Sequence, residues 1–215
     1  MIRLFIFDLD GTLVDSLRDL ADSANELLVS CGGAPLAVDA VGRMVGEGAA
    51  TLVARVFAAG GVEEPSDALD RFLAVYDTKL LDYTRPYDGM LDAIAGLAAR
   101  ASMAVLTNKP LDATRRILDG LKLSGFFEAD AVLGGDGPLP RKPDPAGLHQ
   151  LCDRFTVAPA DAMMVGDSLV DWQTARNAGS QICLARYGFG FREFPKDLLD
   201  GRERQIDAPS ELLTL

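Results

Sequence analysis

Residues 4–15 read LFIFDLDGTLVD, a short apolar run that ends in two aspartates separated by one residue. Such a run is typical of a strand buried on both faces, and Gly11-Thr12 predicts the turn that ends it. Residues two apart in extended backbone point to the same side, so Asp8 and Asp10 are expected to share one small volume. At ~4 Å and an effective dielectric of ~20 their repulsion is roughly 4 kcal/mol, which favours protonating one of them or placing a cation between them. Magnesium, which prefers oxygen ligands, is the simplest such cation.

Residues 4–15 have two other possible interpretations. A calcium loop of the EF-hand type is excluded, because it needs further carboxylates and a closing Glu where Leu13 and Val14 follow here. A polar turn that merely caps a strand fits the segment taken alone. It is disfavoured because polar residues recur at the ends of other apolar runs.

Three further polar segments adjoin apolar runs or a predicted helix, so their side chains could lie close to Asp8. They are Thr107-Asn108-Lys109-Pro110 after the apolar run 103–106, Arg141-Lys142-Pro143 before a predicted helix, and Gly166-Asp167-Ser168 with Asp171 after the apolar run 163–165. The carboxyl ends of the strands in an open parallel sheet gather at one crevice. The sequence therefore predicts that these segments converge there.

Composition limits the partners that this chain can have. Its 215 residues are 48% hydrophobic and 25% charged, which is typical of a soluble globular protein with one core and a smaller unit. A net charge of -11 argues against nucleic-acid and anionic-membrane partners, and no apolar stretch approaches the ~20 residues of a membrane span. Three cysteines without C-x-x-C spacing predict neither a disulfide framework nor a zinc site. We expect a cytoplasmic protein, monomeric or homodimeric, with a small-molecule partner.

The periodicity of apolar residues divides the chain into two units. Helical spacing predicts helices over residues 16–29, 37–44, 49–59 and 66–83. Apolar runs near 103–106, 131–133, 163–165 and 182–184 then alternate with helical stretches, which is typical of a doubly wound parallel sheet. We predict an α/β fold with a catalytic core formed by residues 1–14 and 84–215. Residues 15–83 are predicted to form a small inserted helical domain, with a hinge near residues 85–89.

Together, these segments resemble the four ordered motifs of the haloacid dehalogenase superfamily of phosphohydrolases. The matching residues are Asp8-x-Asp10-Gly11-Thr12, Thr107-Asn108, Lys142 and Gly166-Asp167-Ser168-x-x-Asp171. The resemblance covers essentially the whole chain. It narrows to the phosphoglycolate phosphatase-like branch through VGEGA at 45–49, TNKP at 107–110, YGFG at 187–190 and IDAPSEL at 206–212. It implies a Rossmann-like core whose inserted helices form a cap domain over the crevice, shielding a reactive intermediate from water.

The resemblance also assigns catalytic roles. Asp8 is the implied nucleophile, because a carboxylate is ionised at neutral pH and its phosphoryl adduct is labile. Asp10 is the implied general acid and base. Mg²⁺ is expected on the Asp8 side chain, the Asp10 main-chain carbonyl and Asp167, with Lys142 adding a second positive charge. Asp171 is expected to orient Lys142 or a metal-bound water.

The groups expected to bind the phosphoryl oxygens are polar side chains and main-chain amides. They are Gly11, Thr12, Thr107, Asn108 and Lys142. The implied activity is magnesium-dependent hydrolysis of a small phosphorylated metabolite, first of all 2-phosphoglycolate, through an aspartyl-phosphate intermediate. Phosphatases of sugars, amino-sugar acids or nucleotides in the same superfamily remain alternatives. A degenerate phosphate-binding regulatory protein is the non-enzymatic alternative.

The loop at residues 46–48 is the predicted specificity element. If Gly46, Glu47 and Gly48 close over the leaving group, the Glu47 carboxylate faces the non-phosphate end of the substrate. Arg43 or Arg55 would then neutralise the charge there. Glu47 stands where Asn is common in this branch, so the preferred substrate depends on this loop.

Overall fold

The central feature is a six-stranded parallel sheet, seen in a computed structural model that describes residues 2–215. Its strands are β1 (Leu4–Phe7), β4 (Ser102–Leu106), β5 (Val132–Leu133), β6 (Ala162–Gly166), β7 (Gln181–Ala185) and β8 (Arg204–Ile206). A separate two-stranded ribbon joins β2 (Val14–Asp15) to β3 (Arg85–Pro86). The order of the large sheet is β5-β4-β1-β6-β7-β8, and the predicted doubly wound α/β fold is confirmed.

Strand β1 lies at the centre of the sheet, between β4 and β6. Leu4 is in register with Ser102 on one side and Ala162 on the other. All four residues of β1 are fully buried, as its continuous apolar run predicts. Because the three strands are parallel and adjacent, the residues that follow them emerge at one edge of the sheet.

Four helices cover the two faces of the sheet. They are α5 (Met90–Ala98), α6 (Leu111–Gly120), α7 (Ala146–Phe155) and α8 (Leu169–Ala178). The first two pack with Phe5 and Phe7 of β1, whereas the last two pack with Leu4 and Ile6. Alternate residues of β1 thus contribute to both halves of the core. This packing on both faces fixes the position of Asp8, which directly follows β1.

The segment between the ribbon strands is helical. It contains α1 (Leu17–Ser30), α2 (Val38–Gly42), α3 (Ala49–Gly60) and α4 (Ala68–Asp77), and α1 contacts the other three. We call these four helices the cap. The ribbon lies where the chain enters and leaves the cap, while the exact division at 14/15 and 83/84 stays a prediction.

The helix predicted over residues 66–83 is too long, since α4 ends at Asp77. The return segment is instead held by the buried carboxylate of Asp19 on α1. Asp19 accepts hydrogen bonds from the main-chain N–H groups of Tyr83 (3.0 Å) and Thr84 (2.8 Å), and from the Thr84 hydroxyl (2.7 Å). These bonds tie the first cap helix to the strand that leaves the cap.

We expect Asp19→Ala to lower the free energy of unfolding by about 2–4 kcal/mol, because it leaves buried donors without an acceptor. Asp22→Ala is the matched control on the same helix, since Asp22 only pairs with Arg18 at the surface. The measurement is the urea midpoint of both variants. Equal losses for the two would show that the Asp19 bonds contribute nothing.

Polar contacts join the cap and the loop between α2 and α3 to the core. Arg192 pairs with Asp39 of α2 at 2.8 Å, and Arg116 of α6 pairs with Asp77. The Asn108 amide donates to the carbonyl oxygen of Gly46 at 3.0 Å. The structure therefore has the cap closed against the sheet edge. Within residues 2–215, none of the helices combines the length and apolar character that crossing a bilayer requires.

Candidate active site

A cavity of about 220 Å³ lies between the cap and the carboxyl ends of β1, β4 and β6. Its floor includes Asp8, Asp10, Thr107 and Asp167, which follow those three strands. Its roof consists mainly of cap side chains. The convergence predicted from the sequence is thus present at the sheet edge.

Lys142 lies at the bottom of the site, between two carboxylates. Its Nζ is 2.9 Å from Asp8 Oδ1 and 2.6 Å from Asp171 Oδ1, and all three side chains are buried. Burial opposes the charge of Lys142, but Asp171 and Asp8 raise its pKa above the ordinary value. The ammonium group is therefore a fixed positive charge at neutral pH.

The carboxylates of Asp8, Asp167 and Asp171 form a buried cluster, with oxygens within 4.8 Å of one another. Burial raises the pKa of Asp8 to about 6, although Lys142 opposes the rise. Burial also raises the pKa of Asp167 well above its ordinary value, and the Gly190 N–H, 2.7 Å from Asp167 Oδ2, opposes this. Three carboxylates around one ammonium leave an excess of negative charge.

An oxygen-binding divalent cation fits this cluster. It would offset the negative charge and favour the ionised form of Asp8. Asp171 already has partners, because it bonds Lys142 and also accepts from the N–H (3.1 Å) and hydroxyl (2.6 Å) of Ser168 at the start of α8. Asp8 and Asp167 are therefore the cluster members with the freer oxygens.

The Asp10 side chain lies apart from the three clustered carboxylates, and the expected role of its main-chain carbonyl as a metal ligand stays a prediction. Its carboxylate lies outside the cluster and accepts from Lys109 Nζ at 2.9 and 3.0 Å and from the Ser16 hydroxyl. The cause is the turn after β1, which directs this side chain toward β4 and the cap. Only the main-chain carbonyl of Asp10 remains for a metal, as the resemblance implied.

The groups expected to bind phosphate differ in their availability. The Thr12 hydroxyl is buried and has no hydrogen-bond partner among residues 2–215, so it is a free polar group beside the turn. The Asn108 side-chain NH2 is occupied, because it donates to the carbonyl oxygens of Gly46 and Lys142. Gly11 has φ +85°, and a Cβ there would lie 2.1 Å from Asp167 Oδ2. The turn can approach Asp167 this closely only because residue 11 is glycine.

A sequence profile of haloacid dehalogenase-like hydrolases matches residues 2–179. The chain belongs to this family. The phosphoglycolate phosphatase of Rhodospirillum rubrum is 45% identical over 198 residues, which cover 88% of this chain and 81% of that protein. The phosphoglycolate phosphatase of Caulobacter vibrioides is 37% identical over 219 residues, which cover 97% and 90%.

The fold of this haloacid dehalogenase-like hydrolase also matches solved structures. The crystal structure of a predicted phosphoglycolate phosphatase from Haemophilus somnus superposes with a TM-score of 0.90 at 28% identity, covering 99% of this chain and 97% of that one. The family resemblance inferred from the motifs is confirmed.

The cap loop of this hydrolase places its residues in two different environments. Gly46 and Gly48 line the cavity, as expected of a specificity loop. The half-exposed Glu47 carboxylate instead pairs with Arg55, and both line a groove outside the cavity together with Arg43. The expectation that Glu47 faces the substrate is therefore not met in this closed arrangement. The cause is the turn between the two glycines, which directs the intervening side chain outward.

Two cavity residues were missed as site residues in the sequence analysis, Lys109 and Tyr76. Lys109 is buried, and its Nζ lies 4.5 Å from the centre of the Tyr76 ring on α4. Its position in the TNKP segment was visible, but its contact is with a cap residue 33 positions away. No spacing rule in the sequence joins the two.

Proposed function

We propose that this hydrolase is a magnesium-dependent phosphatase of small phosphorylated metabolites, with 2-phosphoglycolate as its first substrate. The observation that carries the proposal is the contact of Lys142 with Asp8 inside the buried carboxylate cluster. The names of its relatives from Rhodospirillum and Caulobacter support the choice of substrate. A cavity of about 220 Å³ suits a small leaving group.

The chemistry assigned to this chain has two steps. Asp8 attacks phosphorus as the ester bond breaks, and Asp10, which must carry a proton in this step, gives it to the leaving oxygen. In the second step Asp10 takes a proton from water, which attacks the phosphoryl group on Asp8. Lys142, the Thr12 and Thr107 hydroxyls and the amides after β1 stabilise the charge on the phosphoryl oxygens.

Asp8, Asp167 and the main-chain carbonyl of Asp10 are the proposed Mg²⁺ ligands, and Asp171 orients Lys142. When bound, the ion screens the Asp8 carboxylate from the negative phosphoryl group. The cap excludes water from the aspartyl-phosphate and opens about the β2-β3 ribbon to exchange substrate and product.

The thiols Cys31, Cys152 and Cys183 are free, which supports a reducing, cytoplasmic environment.

Phosphate release from a panel of phosphorylated metabolites tests this function. We expect Mg²⁺-dependent turnover with the highest kcat/KM for 2-phosphoglycolate, compared with sugar phosphates, amino-sugar acid phosphates and mononucleotides. Absence of turnover with every ester, in a folded protein supplied with Mg²⁺, would reject the proposal.

The metal assignment has its own test. Excess chelator should abolish phosphate release, and Asp167→Asn should raise the Mg²⁺ concentration for half-maximal activity by at least tenfold, because a carboxylate ligand is lost. Asp161→Asn is the control, because Asp161 precedes β6 at the end of the strand remote from the site. Full activity in chelator would contradict the assignment.

A further inference from the structure

The cavity is lined by several carboxylates, which would repel a negatively charged leaving group. Besides Asp8, Asp10 and Asp167, its lining includes Asp77 and Asp112. A substrate that carries a carboxylate away from its phosphate must bring that charge into an already acidic space. A cation inside the cavity is required to accommodate it.

Most basic groups near the site do not line the cavity. Lys142 is held below the phosphoryl position by Asp8 and Asp171. Arg55 pairs with Glu47 in the outer groove, which Arg43 also lines. Among the residues that line the cavity in the described chain, Lys109 is the only one with a positive side chain.

The cap wall opposite the catalytic carboxylates is otherwise apolar. It is formed by Leu20, Leu52, Phe72, Leu73, Tyr76 and Leu80. The Tyr76 hydroxyl is buried and has no hydrogen-bond partner among residues 2–215. Burial raises the pKa of Tyr76 to about 12, so the phenol remains an O–H donor at neutral pH. An orphaned buried donor in an apolar wall is costly unless a ligand supplies an acceptor.

Lys109 stands next to this phenol. Its Nζ lies over the Tyr76 ring and bonds both carboxylate oxygens of Asp10, at 2.9 and 3.0 Å. An ammonium group has three donors, so the one that Asp10 does not take lies beside the Tyr76 phenol, where an incoming acceptor would meet both groups. The unpartnered Tyr76 hydroxyl and the Lys109 ammonium thus occupy the same part of the cavity.

We propose that Lys109 and the Tyr76 hydroxyl form the subsite for the carboxylate of the leaving group, so that specificity for acidic phosphate esters resides in this pair. The proposal rests on the phosphatase function above and refines it. A carboxylate accepts from both donors at once, and the apolar wall strengthens each bond. Because Lys109 also donates hydrogen bonds to Asp10, it connects the bound leaving group directly with the general acid.

The test compares two substrates of nearly the same length, 2-phosphoglycolate and 2-hydroxyethyl phosphate, which has a neutral hydroxymethyl group in place of the carboxylate. Loss of the Asp10 contact in Lys109→Met slows both substrates. Loss of a carboxylate subsite slows only the first. We expect the ratio of their kcat/KM values to fall about 10- to 100-fold in Lys109→Met and about 3- to 10-fold in Tyr76→Phe. Lys196→Met, at an exposed position, is the control and should leave the ratio unchanged.

A binding measurement makes the result independent of turnover. Calorimetry of 2-phosphoglycolate with Asp8→Asn alone and combined with Tyr76→Phe, which keeps the size of the ring, should show weaker binding in the double variant. Turnover of both esters with an unmoved ratio in both variants would overturn the carboxylate subsite while leaving the phosphatase function intact. Absence of turnover of either ester by the unmodified protein would reject the phosphatase function itself, and the subsite with it.

Discussion

Asp8→Asn is expected to reduce turnover by about 10⁴-fold or more while the protein stays folded. The amide nearly matches the carboxylate in shape but is a poor nucleophile and a poorer metal ligand. Asp197→Asn, at an exposed position away from the cavity, is the matched control. The measurement is kcat for 2-phosphoglycolate in saturating Mg²⁺, with circular dichroism to verify the fold.

The same variant makes a prediction about stability. Burial raises the pKa of Asp8 to about 6, above the ordinary value, so at neutral pH Asp8 is mostly ionised and its buried charge lowers the stability of the folded protein. Replacing it with a neutral amide removes one charge from the cluster. We expect the metal-free variant to melt at the same temperature as the parent or higher. Retained turnover, or a large loss of stability, would show that Asp8 has a different role.

Lys142→Met is expected to lose both activity and stability. The linear apolar side chain replaces the ammonium group that contacts Asp8 and Asp171, and it leaves those buried carboxylates without their cation. Breaking a buried ion pair from one side costs about 3–5 kcal/mol, so we expect a loss of that order in the free energy of unfolding. We also expect kcat to fall by about 10³-fold or more, because the fixed charge beside the phosphoryl group is gone.

Added Mg²⁺ separates this explanation from a packing defect. With Lys142 removed, the cluster carries a greater excess of negative charge and should gain more from a divalent cation. Mg²⁺ should therefore raise the melting temperature of Lys142→Met more than that of the parent. An equal shift in the two proteins would contradict a shared electrostatic site. Lys196→Met again provides the control.

The strands that carry the site were predictable because they are buried on both faces. The runs at 103–106 and 163–165 lie within β4 and β6, and the polar residues after them reach the crevice. Strand β8 escaped prediction, because it lies at the sheet edge and its residues Arg204 and Gln205 are exposed. A short, mostly polar segment has no apolar signal for pattern analysis to detect.

The helices of the cap were predictable from the sequence, but the side-chain contacts that they make were not. Helical periodicity located α1 and α3, yet it could not reveal that α4 brings Tyr76 to Lys109. Nor could spacing show that Glu47 pairs with Arg55 rather than facing the substrate. The direction of each side chain depends on how the cap rests on the core, which is a tertiary property.

Covalent catalysis by Asp8 is the central claim, and Asp10→Asn combined with an activated ester tests it most directly. A nitrophenolate leaving group needs no proton, so the first step proceeds without Asp10, whereas hydrolysis of the intermediate lacks its base. Mixing this variant with p-nitrophenyl phosphate and Mg²⁺, followed by acid quench and peptide mapping, should give a burst of nitrophenol and a phosphoryl group on Asp8. Steady nitrophenol release without an adduct, an adduct on another residue, or no reaction at all would contradict the account.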